Sequence, residues 1–272
     1  MKSKVLIHKL DMTIISYNKN FIFVKSRKTG GTSMEVSLSK FCGAEDIISP
    51  IGPFGEDERE SRKFLGPQNY INKKKPKKLN FALFKNLISS FIQLLPLTKK
   101  IFKFKFPPKL SFGPLFIENY ITDSHSSLKS IKKVLNKHFY DNSFKFTIVR
   151  NPYDQFLSFY HWEIFRGRTD YNESIYDFTI KNVYYFFNLE KSILLDDNGK
   201  LDYDLIIKYE NLEKDVKILN KRLGFNEDIY EILKGVKAKA NLRKKDVKLD
   251  EKSRKLIYKN AKFFFKTFGY EY

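Results

Sequence analysis

The sequence predicts an α/β fold, and three observations carry that expectation. An aromatic and β-branched run gives way to helical spacing over residues 21–41, FIFVKSRKTGGTSMEVSLSKF. The same change of period recurs over 144–162, FKFTIVRNPYDQFLSFYHW. Strands alternating with helices are the mark of α/β architecture. The chain has 272 residues, 42% of them hydrophobic and 16% aromatic. That suffices for one sizeable core, and the length does not demand a second domain.

Taken in order, Phe21 to Val24 reads as a short buried strand. Thr32-Ser33-Met34-Glu35 fits a capping box, with Thr32 as the cap of a helix whose apolar stripe is Met34, Leu38 and Phe41. FIENYIT (116–122) is strand-like. Ser126 or Ser127 then caps a helix with apolar positions Leu128, Ile131, Leu135 and Phe139. Phe144 to Val149 reads as another buried strand. Asn151 is a good N-cap with Pro152 at the first helical position, and Phe156, Phe159 and Tyr160 form the apolar face that follows.

Lys+Arg exceed Asp+Glu by 51 − 31 = 20, so anionic ligands or surfaces are the expected partners. The excess is uneven: residues 71–110 hold eleven Lys and no acid. Nucleic acid is not expected, because no nucleic-acid-binding motif accompanies the charge. Cys42 is the single cysteine, which excludes an intrachain disulfide. Asp11 and His8 interrupt any apolar region near the start, and no run is long enough to span a bilayer. A reducing, cytoplasmic setting is the expectation.

The segment KSRKTGGTS fits an anion site. Gly30 and Gly31 let the backbone approach a ligand, the helix start offers unpaired N–H groups, and Lys25, Arg27 and Lys28 add charge. It is not an ATP or GTP loop. That motif requires Lys after the second glycine, whereas Lys28 precedes the pair. In the second segment, Arg150 falls at the carboxyl end of a strand, where open α/β sheets bind ligands, and Ser158 follows two helical turns on. These two groups suit a second anion; by themselves they also fit a surface ion pair and a packed serine.

Together the two segments resemble the sulfotransferases that use 3′-phosphoadenosine 5′-phosphosulfate (PAPS). KSRKTGGTSME is similar to their 5′-phosphosulfate loop, and VRNPYDQFLSFY to their 3′-phosphate motif. FCGAEDIISPIG, GPQNY, DYDLIIKYENLEKDVKILNKRLGF (202–225) and the terminal FGYEY resemble the carbohydrate-type branch, including microbial members. The likeness covers most of the chain outside about 73–110.

The resemblance implies a P-loop-like three-layer α/β fold with a central, mostly parallel sheet and helices on both faces. It implies transfer of a sulfuryl group from PAPS to an acceptor hydroxyl, on a carbohydrate or glycolipid, with no metal. Arg27 stands where many relatives carry Pro, and the last helix has no acid before Glu271. The segment marked for donor binding is Arg27, Lys28, Thr29, Gly30, Gly31, Thr32 and Ser33, with Lys28 at the bridging oxygen between phosphate and sulfate. Thr32 serves there or only as the helix cap. Arg150 and Ser158 would grip the 3′-phosphate. Glu210 and Asn211 match a motif read as structural. Lys239 and Arg243, in a basic run near the carboxyl end, would close over the donor.

Of the four histidines, His125 is the candidate general base. It precedes a helix start, where the dipole favours the neutral imidazole. A histidine that only packs at the turn is the alternative, and Glu118 or Asp123 comes next as base. His138 and His161 read as surface or packing residues. Residues 73–110 form a basic insertion whose segment 81–95 is amphipathic on a helix. It fits a lid or core helix, or a peripheral membrane contact with anionic lipid. Two rival readings remain: a nucleotide-dependent kinase of the same fold class, and a non-catalytic anion- or membrane-surface binder.

Overall fold

Strand β1 (Thr13–Ser16) turns through residues 17–20 into β2 (Phe21–Val24), pairing antiparallel with Thr13 opposite Val24. A two-residue strand, β3 (Ile47–Ile48), lies antiparallel on the outer side of β1. On its other side β2 pairs parallel with β4 (Phe144–Val149), and β4 parallel with β5 (Leu205–Lys208). The five-stranded sheet has the order β3-β1-β2-β4-β5. The expectation of a mostly parallel sheet is corrected: the sheet is mixed, with two antiparallel and two parallel pairings. The physical reason is the tight β1–β2 turn, since a four-residue connection can only reverse the chain. This is a computed structural model describing residues 13–70, 126–170, 172–236 and 247–272. His125, Lys239, Arg243, the FIENYIT strand with Glu118 and Asp123, and the insertion at about 73–110 with its 81–95 helix lie outside the described residues.

Alternate side chains of the strands enter different cores, as period-2 alternation requires. Ile14, Phe21, Phe23, Phe146, Ile148 and Ile207 pack with α1 (Gly31–Ser39), α7 (Leu212–Leu223) and α8 (Ile229–Gly235). Ile15, Ile22, Val24 and Ile47 pack instead with α3 (Leu128–Val134) and α4 (Lys137–Asn142). Helices therefore cover both faces. The short α2 (Pro53–Ser61) leans on α1.

The third cluster is aromatic. α5 (Pro152–Phe165) and α6 (Ile175–Leu194) join α9 (Glu251–Asn260) and α10 (Lys262–Phe268) around Phe156, whose ring contacts Phe159, Phe178, Phe186 and Phe187. Asn151 caps α5 by accepting from the Tyr153 N–H at 3.0 Å, with Pro152 in the first turn as the sequence requires.

Two local expectations change. α1 starts two residues earlier than the capping box predicts: its cap is Gly30, in the left-handed region at φ 83° and without a side-chain cap bond, and Thr32 lies inside the helix. Glu35 is drawn away to a buried lysine, so the reciprocal box bond is not made. The helix expected through Leu128 and Phe139 is two helices. Ser127 caps the first, accepting from the Ser130 N–H at 3.1 Å. Leu135 then turns extended, and Asn136 caps the second through the His138 and Phe139 N–H groups.

Phe156→Ala should cost about 3–5 kcal/mol, as truncation of an enclosed aromatic does. Tyr184→Ala, on the exposed side of α6, should stay within about 0.5 kcal/mol. Denaturant unfolding of both variants measures the contrast.

Candidate functional site

The site follows from strand register. β2, β4 and β5 run parallel, so the segments after Val24, Val149 and Lys208 leave the sheet at one edge. These are the loop 25–30, Arg150-Asn151, and the 3-10 turn Tyr209–Asn211. Loop and strand are stitched together by hydroxyls. Thr147 donates to the Val24 carbonyl at 2.8 Å, Ser26 donates to the Ile148 carbonyl, and Ser26 and Thr29 share a bond of 2.9 Å. Thr29 is thus buried with its hydroxyl turned into the loop.

The two segments singled out in the sequence meet. Arg150, 8% exposed, donates from Nη1 to the Lys28 carbonyl at 3.4 Å. Its guanidinium lies 4.4 Å from the Tyr209 ring centroid. Tyr209 in turn covers Gly30, where an added Cβ would stand 2.9 Å from its ring. The absence of a side chain at Gly30 therefore serves this packing as well as the left-handed turn. Lys28 is itself left-handed, at φ 61°. Such a conformation costs a non-glycine residue about 1–2 kcal/mol. Its Nζ stands 4.7 Å from the Trp162 ring centroid. Ser33, in the first turn of α1, and Ser158, on α5, are half-buried. An open cavity of about 670 Å³ adjoins Tyr209 and Glu210 and reaches Lys214, Lys217 and Tyr230.

Glu210 ties this edge to the carboxyl-terminal tail. It accepts the Asn151 N–H at 2.7 Å and the Tyr270 hydroxyl at 3.0 Å. Its role in the fold is that of a brace.

Lys25 is not part of the open site. Its ammonium is buried and donates to Glu35 Oε2 at 2.5 Å. Burial pushes the Lys25 pKa down and the Glu35 pKa up, and each charge pulls the other part of the way back. His161 is buried on α5 and His138 is exposed.

Sequence reasoning passed over Glu190, Gln155, Trp162 and Tyr209. Glu190 left a readable signal: it falls at helical spacing with Phe186, Phe187, Ile193 and Leu194, an acid on an apolar stripe. Tyr209 left none, because only the β4–β5 pairing puts it over Gly30.

Lys25→Met alone would leave Glu35 buried without its partner and should cost about 3–5 kcal/mol. The double variant Lys25→Met/Glu35→Leu should recover most of that loss, since two apolar chains of similar volume remove both buried charges. Urea unfolding of the two variants reads the difference directly.

No family model matches the chain, and neither a curated protein nor a solved structure matches it.

Proposed function

We propose that this chain is a sulfotransferase that moves a sulfuryl group from PAPS to a hydroxyl of a carbohydrate or glycolipid. The observation that carries the reading is the contact between Arg150 and the Lys28 carbonyl, which sets two cation-bearing segments 122 residues apart side by side. One donor molecule with two phosphate-type groups suits that pairing. The β2–loop–α1 unit with β4 and β5 alongside is read as a P-loop-like arrangement.

The residues present fit the donor. The α1 start has a left-handed glycine cap and no side-chain cap bond, which leaves first-turn N–H groups for a 5′-phosphosulfate. Arg150 suits a 3′-phosphate, with Ser158 as its assigned partner. The Tyr209 ring and the cavity beside it suit a nucleoside base. PAPS supplies the sulfuryl group when bound.

Lys28 neutralises charge growing on the leaving phosphate oxygen. The acceptor oxygen forms a bond to sulfur as the bond from sulfur to the 5′-phosphate oxygen breaks. The acceptor proton goes to His125, the assigned base, leaving adenosine 3′,5′-bisphosphate and a sulfate ester.

Adenosine 3′,5′-bisphosphate should bind without magnesium and much more tightly than AMP. Arg150→Ala should remove roughly 1.5–3 kcal/mol of that binding, the range of a charged hydrogen bond. Calorimetry checks both, and equal affinity for AMP and the bisphosphate would sink the reading. Tight magnesium-dependent ATP binding would favour a kinase instead.

Lys28→Ala should lower turnover and weaken donor binding together. His125→Ala should leave bisphosphate affinity within about twofold and cut turnover by roughly 10²–10⁴, the contribution of a positioned base. The rising limb of its pH–rate profile near neutrality should disappear. Near-normal transfer by the His125 variant would place the base elsewhere, with Glu118 or Asp123 next.

A further inference from the structure

Glu190 has no exposed surface, and it is the single acid among the buried residues of α6. Its carboxylate grips the main chain of the loop. The Arg27 N–H donates to both oxygens, at 3.2 and 3.1 Å. The Gln155 side-chain amide donates to Glu190 Oε2 at 3.1 Å and to the Arg27 carbonyl at 2.6 Å. Both polar groups of the Arg27 peptide, one residue before Lys28, are thus fixed from behind. The Arg27 guanidinium lies beside the stacked rings of Phe159 and Phe186, at 5.1 and 4.8 Å, with Nε 3.8 Å from Glu190 Oε1. Glu190 sits behind the loop, walled from solvent, so its action on any ligand passes through the loop.

We infer that Glu190 is a positioning residue for the anion loop: its ionised carboxylate holds the Arg27 peptide so that Lys28 and the α1 start face a sulfate- or phosphate-type anion, and protonating it loosens that hold and weakens anion binding. The inference rests on the reading of this loop as an anion site. Its chemistry is simple. A carboxylate accepts through both oxygens, whereas the acid form turns one of them into a donor facing an N–H group or the Arg27 cation.

The charged group facing Glu190 is Arg27 from the loop. α5 presents the neutral Gln155 amide. The other helices packed on this part of α6 contribute apolar side chains, Leu128 and Ile131 from α3, Ile257 from α9 and Phe264 from α10. Burial pushes the Glu190 pKa up to about 7, against the downward pull of the Arg27 charge, its N–H and Gln155.

In the unfolded chain this carboxyl titrates near about 4.3. Between there and about 7 the folded protein takes up a proton that the unfolded chain does not. Lowering the pH through about 7 should therefore stabilise the fold through this group. The same proton weakens anion binding. The two trends have opposite signs, which a purely structural carboxylate would not produce.

Trp162 is the only tryptophan in the chain and lies beside Lys28, so its fluorescence reports on the loop. Inorganic sulfate is the probe, because it stays dianionic across the range. Wild-type affinity for sulfate should rise roughly fivefold or more between about pH 6 and about pH 8.5, the lower end of typical site-to-site coupling. Glu190→Gln should bind weakly and change less than about twofold over that range.

If the Gln variant fails to fold, wild type alone decides. Its sulfate affinity must rise, and the contribution of this group to unfolding stability must fall, as pH passes about 7. A Gln variant with wild-type affinity and pH dependence overturns the inference, as does a pH-independent wild type. Adenosine 3′,5′-bisphosphate that binds while sulfate affinity ignores pH removes Glu190 alone. Binding of neither probe at any pH removes the anion-site reading and the role of Glu190 with it.

Discussion

Val24 faces Thr147, and Val149 faces Lys208, across two parallel ladders. In a parallel pair the chain leaves both strands at the same edge, so whatever follows β2, β4 and β5 must gather there. Loop 25–30, Arg150-Asn151 and Tyr209-Glu210 are neighbours for that reason alone. The antiparallel β1 and β3 send their ends elsewhere or lie at the far side of the sheet, and they contribute hydrogen-bonding partners rather than site residues. Three chain segments, none adjacent in sequence, are combined by one constraint of strand direction.

Around that edge the protein spends burial on charge. Lys25 and Glu35 are paired beneath α1, Arg27 and Glu190 behind the loop, and Arg59 reaches the Ser49 carbonyl and Glu56 from α2. Buried pairs are poor sources of net stability, because desolvation offsets their attraction. What they supply here is direction. Glu35 and Glu190 are each anchored on a helix and point at the loop that carries Gly30 and a left-handed Lys28. The apolar cover is aromatic, with the stacked rings of Phe159 and Phe186 against the Arg27 guanidinium.

Arg27 holds its place in the loop through its main-chain N–H. The Arg27 N–H is donated to Glu190, and proline has no N–H to donate. A proline at this position would stiffen the turn through its own ring; here stiffness comes instead from a bond to a helix 163 residues away. The consequence is that loop geometry depends on a titratable group.

The sequence alone determined what depends on local chemistry and short-range period. Phe21–Val24 and Phe144–Val149 are strands because β-branched and aromatic runs fit a pleated buried surface. Asn151 is a cap because its side chain reaches the next free N–H group, and one of Ser126 and Ser127 is a cap for the same reason, the structure choosing Ser127. Met34 and Leu38 reach the core as their spacing predicts, but α1 is buried on nearly all sides, which no apolar stripe records. Only the tertiary structure decided which local options survived. Glu35 could close a capping box or pair with Lys25, and the low-dielectric core beneath α1 settles it, since an unpaired buried ammonium is far costlier than an unfilled cap. Lys25 reads as a site cation until packing buries it. Strand order, the mixed sheet, Tyr209 over Gly30 and Glu190 on Arg27 all join residues far apart in the chain, and no local period records a contact made across that distance.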